Sequence, residues 1–285
     1  MNYRTYIVTG GNSGIGKAIA LGITRVKASH VVIICRSPQK GADALAEIRE
    51  KSQNDAVELV VGDLSTMENC RKLASELLEQ YPKIHVLINN AAVWMFKRVI
   101  NGDGLEMGFM VNHMAPFILS NLLLDRLKES APARIVNVNM DIRSWGKVDL
   151  EKTPYGHDFT TLGSYVNTKL CNLLFTIIFA QRIQGSGVTI NAVHPGVVRT
   201  NIGIHLGWWG RFYRVYRILL KSPEKGAQGA VWLATSPELD GVNGKFFVSR
   251  KKQSEWPKSA RDKVLASKLW SLSVQLAELG HQVSE

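Results

Sequence analysis

Tyr6-Ile7-Val8-Thr9-Gly10-Gly11-Asn12-Ser13-Gly14-Ile15-Gly16 is the stretch on which the reading of this chain turns. An apolar, strand-forming run ends in a cluster of glycines, and helical spacing of apolar residues begins at Ile15. Glycines let a backbone turn tightly and approach a ligand closely. The helix that follows presents free N–H groups and its positive dipole end, the combination that holds a pyrophosphate. Gly10, Asn12, Ser13, Gly14, Ile15 and Gly16 are therefore the candidate dinucleotide-binding turn. A glycine-rich turn alone is a weak signal; it becomes specific only between a strand and a helix of a larger βα series.

That series is present. Working outward, strand-like runs fall at Tyr6 to Thr9, Val31 to Cys35, Val57 to Val61, Val86 to Asn89, Arg134 to Val138, Val188 to Val193 and Lys245 to Val248. Helical patterns separate them, among them a long one from Glu106 to Leu127, another from Ser164 to Ile183, and a last one from about Lys258 to Leu279. Near-continuous apolar strands between helices predict a mostly parallel sheet covered on both faces. The expected fold is α/β, a single doubly wound Rossmann domain over residues 1–285 with a seven-stranded sheet. No repeat, low-complexity tract or Pro/Gly/Ser-rich linker divides the chain, and 285 residues suit one full core.

Composition narrows the class. Hydrophobic residues make up 45% and charged residues 21%, as in an ordinary globular protein. No run reaches the roughly 18 to 20 uninterrupted apolar residues of a membrane span, and the early strand leaves no room for a cleavable leader. Cys35, Cys70 and Cys171 lie in apolar runs, odd in number and without metal-site spacing, so buried reduced thiols in a reducing compartment are expected. The expected setting is intracellular, soluble or peripheral to a membrane surface. A net charge of +11 suits a phosphorylated ligand or an anionic surface. No aromatic-basic motif points to nucleic acid, and no His/Cys/acidic cluster points to a metal.

The end of the second strand selects the ligand. An acidic residue there would bind the adenine ribose hydroxyls of NAD; this chain has Cys35-Arg36-Ser37. Arg36 can pair with a 2′-phosphate, which favours NADP(H), and Lys17 and Lys40 offer further positive charge.

The residues then carry a family resemblance. Thr9-Gly10-x3-Gly14-x-Gly16, Asp63-Leu64, Asn89-Asn90-Ala91-Ala92, Asn112, Tyr165-x3-Lys169 and Pro195-Gly196 stand in the order and spacing of short-chain dehydrogenases/reductases. Cys35-Arg36-Ser37, Val111-Asn112-His113, Ala131-Pro132-Ala133-Arg134, Lys169-Leu170-Cys171-Asn172 and Val193-His194-Pro195-Gly196 resemble the retinol-dehydrogenase-like branch and the oxidoreductase domain of the WW-domain-containing oxidoreductase. The resemblance covers nearly the whole chain. It implies Asp63 and Leu64 near the adenine, and Asn89 and Ala91 along the ribose path. Pro195, Gly196, Val198 and Thr200 would flank the nicotinamide, with Thr200 on its carboxamide. It also implies association of identical chains through the long helices.

For catalysis it implies Tyr165, Lys169 and Asn112. Tyr165 and Lys169, four apart, share a helix face, where a lysine cation would lower the phenol's pKa and ready it for proton transfer to a carbonyl oxygen. The lysine also holds the nicotinamide ribose, and the asparagine supports a water-borne proton relay. The fourth member of the family's set is a serine just after the fifth strand. Here the strand reads Val136-Asn137-Val138-Asn139-Met140, and an ungapped match puts Met140 at the serine's place. A thioether donates no hydrogen bond. Three readings stay open: Asn139, Ser144 or Ser164 supplies the missing bond; the substrate is oriented by other contacts; or the chain does something other than redox chemistry, as an isomerase, a cyclase or an NADP-binding regulator.

On the substrate side, residues 200–222 read as a variable lid. Trp208, Trp209, Phe212, Tyr213 and Tyr216 alternate with Arg211, Arg214, Arg217 and Lys221. That composition suits a bulky hydrophobic carbonyl or alcohol, a helix lying on an anionic membrane through 203–221, or an amphipathic helix packed on its own domain. Trp94, Met95 and Phe96 would add to the pocket wall. His194, after the sixth strand, reads as a structural histidine.

Overall fold

Alternate residues of the central strands face two separate cores, and this pleat organises the molecule. The computed structural model describes residues 3–142, 145–198, 221–249 and 252–279. Ser144, Thr200 and all but the last two residues of the expected lid lie outside them, as does the segment expected to touch a membrane, Lys221 excepted.

The strands are β1 (Arg4–Thr9), β2 (Ser29–Cys35), β3 (Val57–Val61), β4 (Val86–Asn89), β5 (Ala133–Val138), β6 (Val188–Val193), β7 (Phe246–Ser249) and β8 (Lys252–Ser254). They form one sheet in the order β3-β2-β1-β4-β5-β6-β7-β8, parallel as far as β7, with β8 antiparallel at the edge. Among the described residues the sheet therefore has eight strands rather than seven. Lys252-Gln253-Ser254 is polar and lies on the edge, so it carries no apolar signature. In β1, Ile7 packs into the core beneath α3 (Met67–Gln80), α5 (Ala115–Leu122), α7 (Thr161–Arg182) and α9 (Lys263–Leu276). Its neighbours Tyr6 and Val8 pack into the other, beneath α1 (Gly14–Ile23), α2 (Pro38–Ser52) and α8 (Pro223–Thr235). Each large side chain so buried contributes about 1.5–3 kcal/mol.

Side chains start most of these helices. Ser37, Thr66, Thr160, Ser222 and Asp262 each accept a main-chain N–H from the first turn of α2, α3, α7, α8 and α9. The helix α1 is the exception, since Ser13 makes no such bond.

The long helix expected from Glu106 to Leu127 is broken. A three-residue turn α4 (Met107–Phe109) leads into a π-helical turn (Met110–Met114), then α5, then α6 (Leu124–Glu129). Pro116 supplies the reason. It has no N–H to give the carbonyl of Asn112 four residues back, so α-helical bonding fails there. The C-terminal helix likewise starts late, at Lys263, after a 3-10 turn at Lys258–Arg261. The helix α7 has 22 residues, and its most apolar 18-residue stretch has a mean hydropathy of 1.2, enough for a membrane span, yet 67% of that stretch is buried. Its apolarity serves the core. All three cysteines are free and buried.

Candidate active site

Strand order reverses direction beside β1, which lies between β2 and β4, and ligands of open α/β sheets bind in the crevice beyond the strand ends at such a point. The glycine turn sits there. Gly10 has φ +67°, and a Cβ on it would lie 3.1 Å from the Cα of Ala91. A Cβ on Gly16 would lie 2.1 Å from the Gly10 carbonyl. No L side chain fits either place. Gly14, at φ +52°, opens instead onto empty space. With Ser13 not capping α1 and no acidic residue in its first turn, the first N–H groups of that helix remain available. This donor set, beside a glycine cradle, fits the pyrophosphate of a dinucleotide.

The turn is held by two residues on which the sequence places no individual weight. Thr9 Oγ1 donates to the Ile88 carbonyl and accepts the N–H groups of Asn90 and Ala91, both at 3.0 Å. Asn90 Nδ2 donates to the Thr9 carbonyl at 2.9 Å. The sequence signal was the motif itself, which does not say which of its members clamps which strand.

Around this turn the expected contacts sort into available and unavailable. Arg36 is exposed and has no partner among the described residues, which leaves its guanidinium free for a phosphate. Lys17 is not free: it pairs with Glu47 of α2 at 2.5 Å. Asp63 accepts the N–H and hydroxyl of Ser65, and the Leu64 side chain packs into the core. Asn89 turns its side chain inward. Its side chain is 2% exposed and donates to Ser120 Oγ and Asn137 Oδ1 inside the fold, so only its backbone can meet a ligand. Pro195, Gly196 (φ +85°) and Val198 follow β6, and Val198 is fixed by a bridge to Lys221 at the start of α8.

The second half of the crevice brings Tyr165, Lys169, Asn112 and Met140 together. Lys169 Nζ lies 5.8 Å from the centre of the Tyr165 ring and donates to the Val138 carbonyl at the end of β5. The Tyr165 hydroxyl has no partner among the described residues. Its ring lies 5.6 Å from that of Trp94, which lies 5.5 Å from that of Phe96, so an aromatic slab runs from the surface to the phenol. Trp94 Nε1 donates to the Thr161 carbonyl and fixes the slab to α7.

The expected lowering of the phenol's pKa is absent. Burial is the cause of both shifts here: it pushes Tyr165 up to about 12 and pulls Lys169 down to about 8.

Asn112 lies in the π turn, 1% exposed. Its side chain bonds both the N–H and the carbonyl of Val93 and donates to Thr168 Oγ1, which donates in turn to the Tyr165 carbonyl. Asn139 corrects one of the open readings. Its amide donates to the Lys169 carbonyl and accepts the Met140 N–H, and the residue is 4% exposed. Both atoms of its amide are thereby engaged inside the fold. Ser164 Oγ accepts the Thr160 N–H at the start of α7. Met140 is half-buried at the end of β5. His194 is half-buried with its Nδ1 unpaired, and its pKa is lowered by burial.

Comparison with known proteins agrees with this geometry. A family model described as short chain dehydrogenase matches residues 4–208. Retinol dehydrogenase 13 of Homo sapiens is 38% identical over 283 residues, covering 97% of this chain and 85% of that protein. Among solved structures, an uncharacterized protein from Mycobacterium paratuberculosis is 27% identical, with a TM-score of 0.78 over 96% of this chain and 93% of that one. A Beutenbergia cavernae protein described as an NAD(P)-dependent gluconate 5-dehydrogenase, solved with NADP at low occupancy, is 26% identical. It has a TM-score of 0.67 over 86% of this chain and 94% of that one. The sheet order, the glycine turn and these matches lead to one conclusion: the chain belongs to the short-chain dehydrogenase/reductase family, an oxidoreductase that works with a nicotinamide dinucleotide.

Proposed function

We propose that the enzyme is NADP(H)-dependent and interconverts a lipophilic carbonyl compound and its alcohol. The observation that carries this is the placing of Tyr165, an unpartnered phenol on an aromatic slab with Lys169 beside it. Gly10, Asn12, Ser13, Gly14, Ile15 and Gly16 would hold the pyrophosphate and Arg36 the 2′-phosphate. Asp63 and Leu64 would meet the adenine, the backbone of Asn89 and Ala91 the ribose path, Lys169 the nicotinamide ribose, and Pro195, Gly196 and Val198 the nicotinamide. When bound, the dinucleotide supplies a hydride to the carbonyl carbon, or takes one from the alcohol.

The chain's own part is proton transfer and orientation. Tyr165 gives its phenol proton to the substrate oxygen; the phenol O–H bond breaks as the alcohol O–H bond forms. Burial keeps the Tyr165 phenol protonated at neutral pH, so its proton is present for transfer when a carbonyl oxygen reaches it. Asn112 acts on Tyr165 through Thr168. Met140 offers the substrate oxygen no donor, and Asn139 is turned away. Loss of one such donor costs on the order of 3 kcal/mol, roughly a hundredfold in rate, so turnover is expected to be slow and substrate orientation to rest on apolar contacts with Trp94, Phe96 and Met140. Retinol, in the name of the human relative, is a lipophilic alcohol of the class meant.

The test is NADPH consumption against long-chain aldehydes and aromatic ketones, with NADH in parallel. Turnover at least tenfold better with NADPH is expected. Tight NADPH binding without turnover of any carbonyl would put the non-redox or regulatory reading first.

A further inference from the structure

A chain of buried polar groups runs through the protein behind Tyr165 and Lys169, and one member lies outside every role assigned above. Asn172, on α7 one turn beyond Lys169, is 2% exposed. Its Nδ2 donates to the main-chain carbonyl of Asn112 at 3.0 Å. That carbonyl is the one that Pro116 cannot serve. The Asn172 carbonyl accepts from Thr176 Oγ1, which accepts in turn from Asn137 Nδ2. Asn172 is thereby anchored from the sheet side and reaches across to the π turn.

We propose that Asn172 is a positioning residue for catalysis: its amide replaces the helical donor missing at Pro116 and holds the π turn so that Asn112 keeps Thr168 and Tyr165 in register. The proposal rests on the reductase reading. The physical case lies in what a buried carbonyl needs. An unpaired one costs about 1–3 kcal/mol, and a helix interrupted by proline recovers its bonds from a neighbour or loosens. Here the neighbour's side chain comes from the helix that carries Tyr165 and Lys169, so the repair of one helix fixes its distance to the other. From Asn112 the register passes through two bonds, Asn112 Nδ2 to Thr168 Oγ1 at 3.0 Å and Thr168 Oγ1 to the Tyr165 carbonyl at 2.9 Å. A displacement of a reacting group by about 1 Å is worth up to a hundredfold in rate.

The geometry yields a test that a merely structural role would fail. Asn172→Ala removes the donor, and Pro116→Ala restores an N–H within the helix itself. For Asn172→Ala we expect kcat to fall at least tenfold with KM for NADPH within twofold. The alkaline limb of the kcat/KM profile should move upward from near pH 8, because water admitted around Lys169 relieves the burial that lowers it. The double variant Asn172→Ala/Pro116→Ala should recover at least a third of the lost kcat on a logarithmic scale. Strictly additive effects of the two changes, or an Asn172→Ala enzyme with wild-type kcat and pH profile, would overturn the proposal. Hydrogen exchange of the peptide spanning residues 110–117 gives a readout free of activity. Faster exchange in Asn172→Ala, slowed again in the double variant, is expected; no change would overturn the clamp even if the wild type reduced no carbonyl tested. Exchange that behaves as expected in a wild type without turnover would instead place the fault in the reductase reading.

Discussion

Thr9→Val tests whether the crevice is held open in the way the structure shows. The two side chains have nearly the same shape, so the change leaves little cavity and removes one hydroxyl that is 2% exposed. That hydroxyl makes three bonds, but they are not equivalent. The Asn90 N–H has a second acceptor, the Ile88 carbonyl at 3.1 Å, and the Ile88 carbonyl loses only a weak 3.3 Å donor. The Ala91 N–H loses its acceptor outright. One buried donor left unpaired costs about 1–3 kcal/mol, so the expected loss is about 2 kcal/mol, or a Tm lower by roughly 3–4 °C for a chain of this length. Urea unfolding should show a lower midpoint with an unchanged slope. NADPH binding should weaken as well, since Ala91 and Gly10 are in contact across the same joint. Thr9→Ser keeps the hydroxyl and should stay within about 0.5 kcal/mol of wild type. If the valine and serine variants unfold at the same midpoint, the hydroxyl is not the clamp and the account of the glycine turn is wrong.

Other predictions concern charge and pH. Arg36→Ala should weaken NADPH binding at least tenfold and leave NADH binding within twofold, measured by fluorescence titration; equal loss for both would separate Arg36 from the 2′-phosphate. Arg134, 5% exposed on β5, donates to the carbonyls of Leu233 and Ser236 and to Asp240 at the end of α8. Its replacement by alanine should cost about 2–4 kcal/mol in urea unfolding, and lysine should rescue little because one ammonium cannot reach all three acceptors. His113 is fully buried against α9, its Nε2 2.9 Å from Ser273 Oγ, and burial lowers its pKa to about 3. Between pH 6.5 and 3 the unfolded chain takes a proton there that the folded chain refuses, so stability falls as pH falls. At pH 5 this amounts to about 2 kcal/mol. His113→Phe should make the drop in stability from pH 7 to pH 5 smaller by about that amount; an unchanged drop would contradict the assignment.

Much of this molecule is legible in its sequence because parallel strands must be apolar on both faces. Seven of the eight strands, from Tyr6-Ile7-Val8 to Phe246-Phe247, declare themselves in that way. The eighth does not, because an edge strand of Lys252-Gln253-Ser254 needs only backbone pairing. The glycine turn and the Tyr165 and Lys169 pair are readable for the same reason: turn geometry and helix spacing are local properties. What escapes is set by burial and by contacts far apart in sequence. Spacing alone suggests that Lys169 lowers the Tyr165 pKa, yet depth of burial decides the sign. Asn139 stands one residue from the expected serine, but the bonds it makes to α7 turn it inward. Asn89 belongs to a motif and still spends its side chain on Asn137. Pro116 was visible throughout, and only the three-dimensional neighbour Asn172 gives its break a use.

The central claim is that Tyr165 transfers a proton to a lipophilic carbonyl without help from a serine. One measurement bears on it most directly: steady NADPH oxidation with a long-chain aldehyde by wild type, Tyr165→Phe and Met140→Ser in parallel. The account predicts slow wild-type turnover, a loss of at least a hundredfold in Tyr165→Phe with NADPH still bound, and a gain in Met140→Ser. Equal rates in wild type and Tyr165→Phe would contradict it.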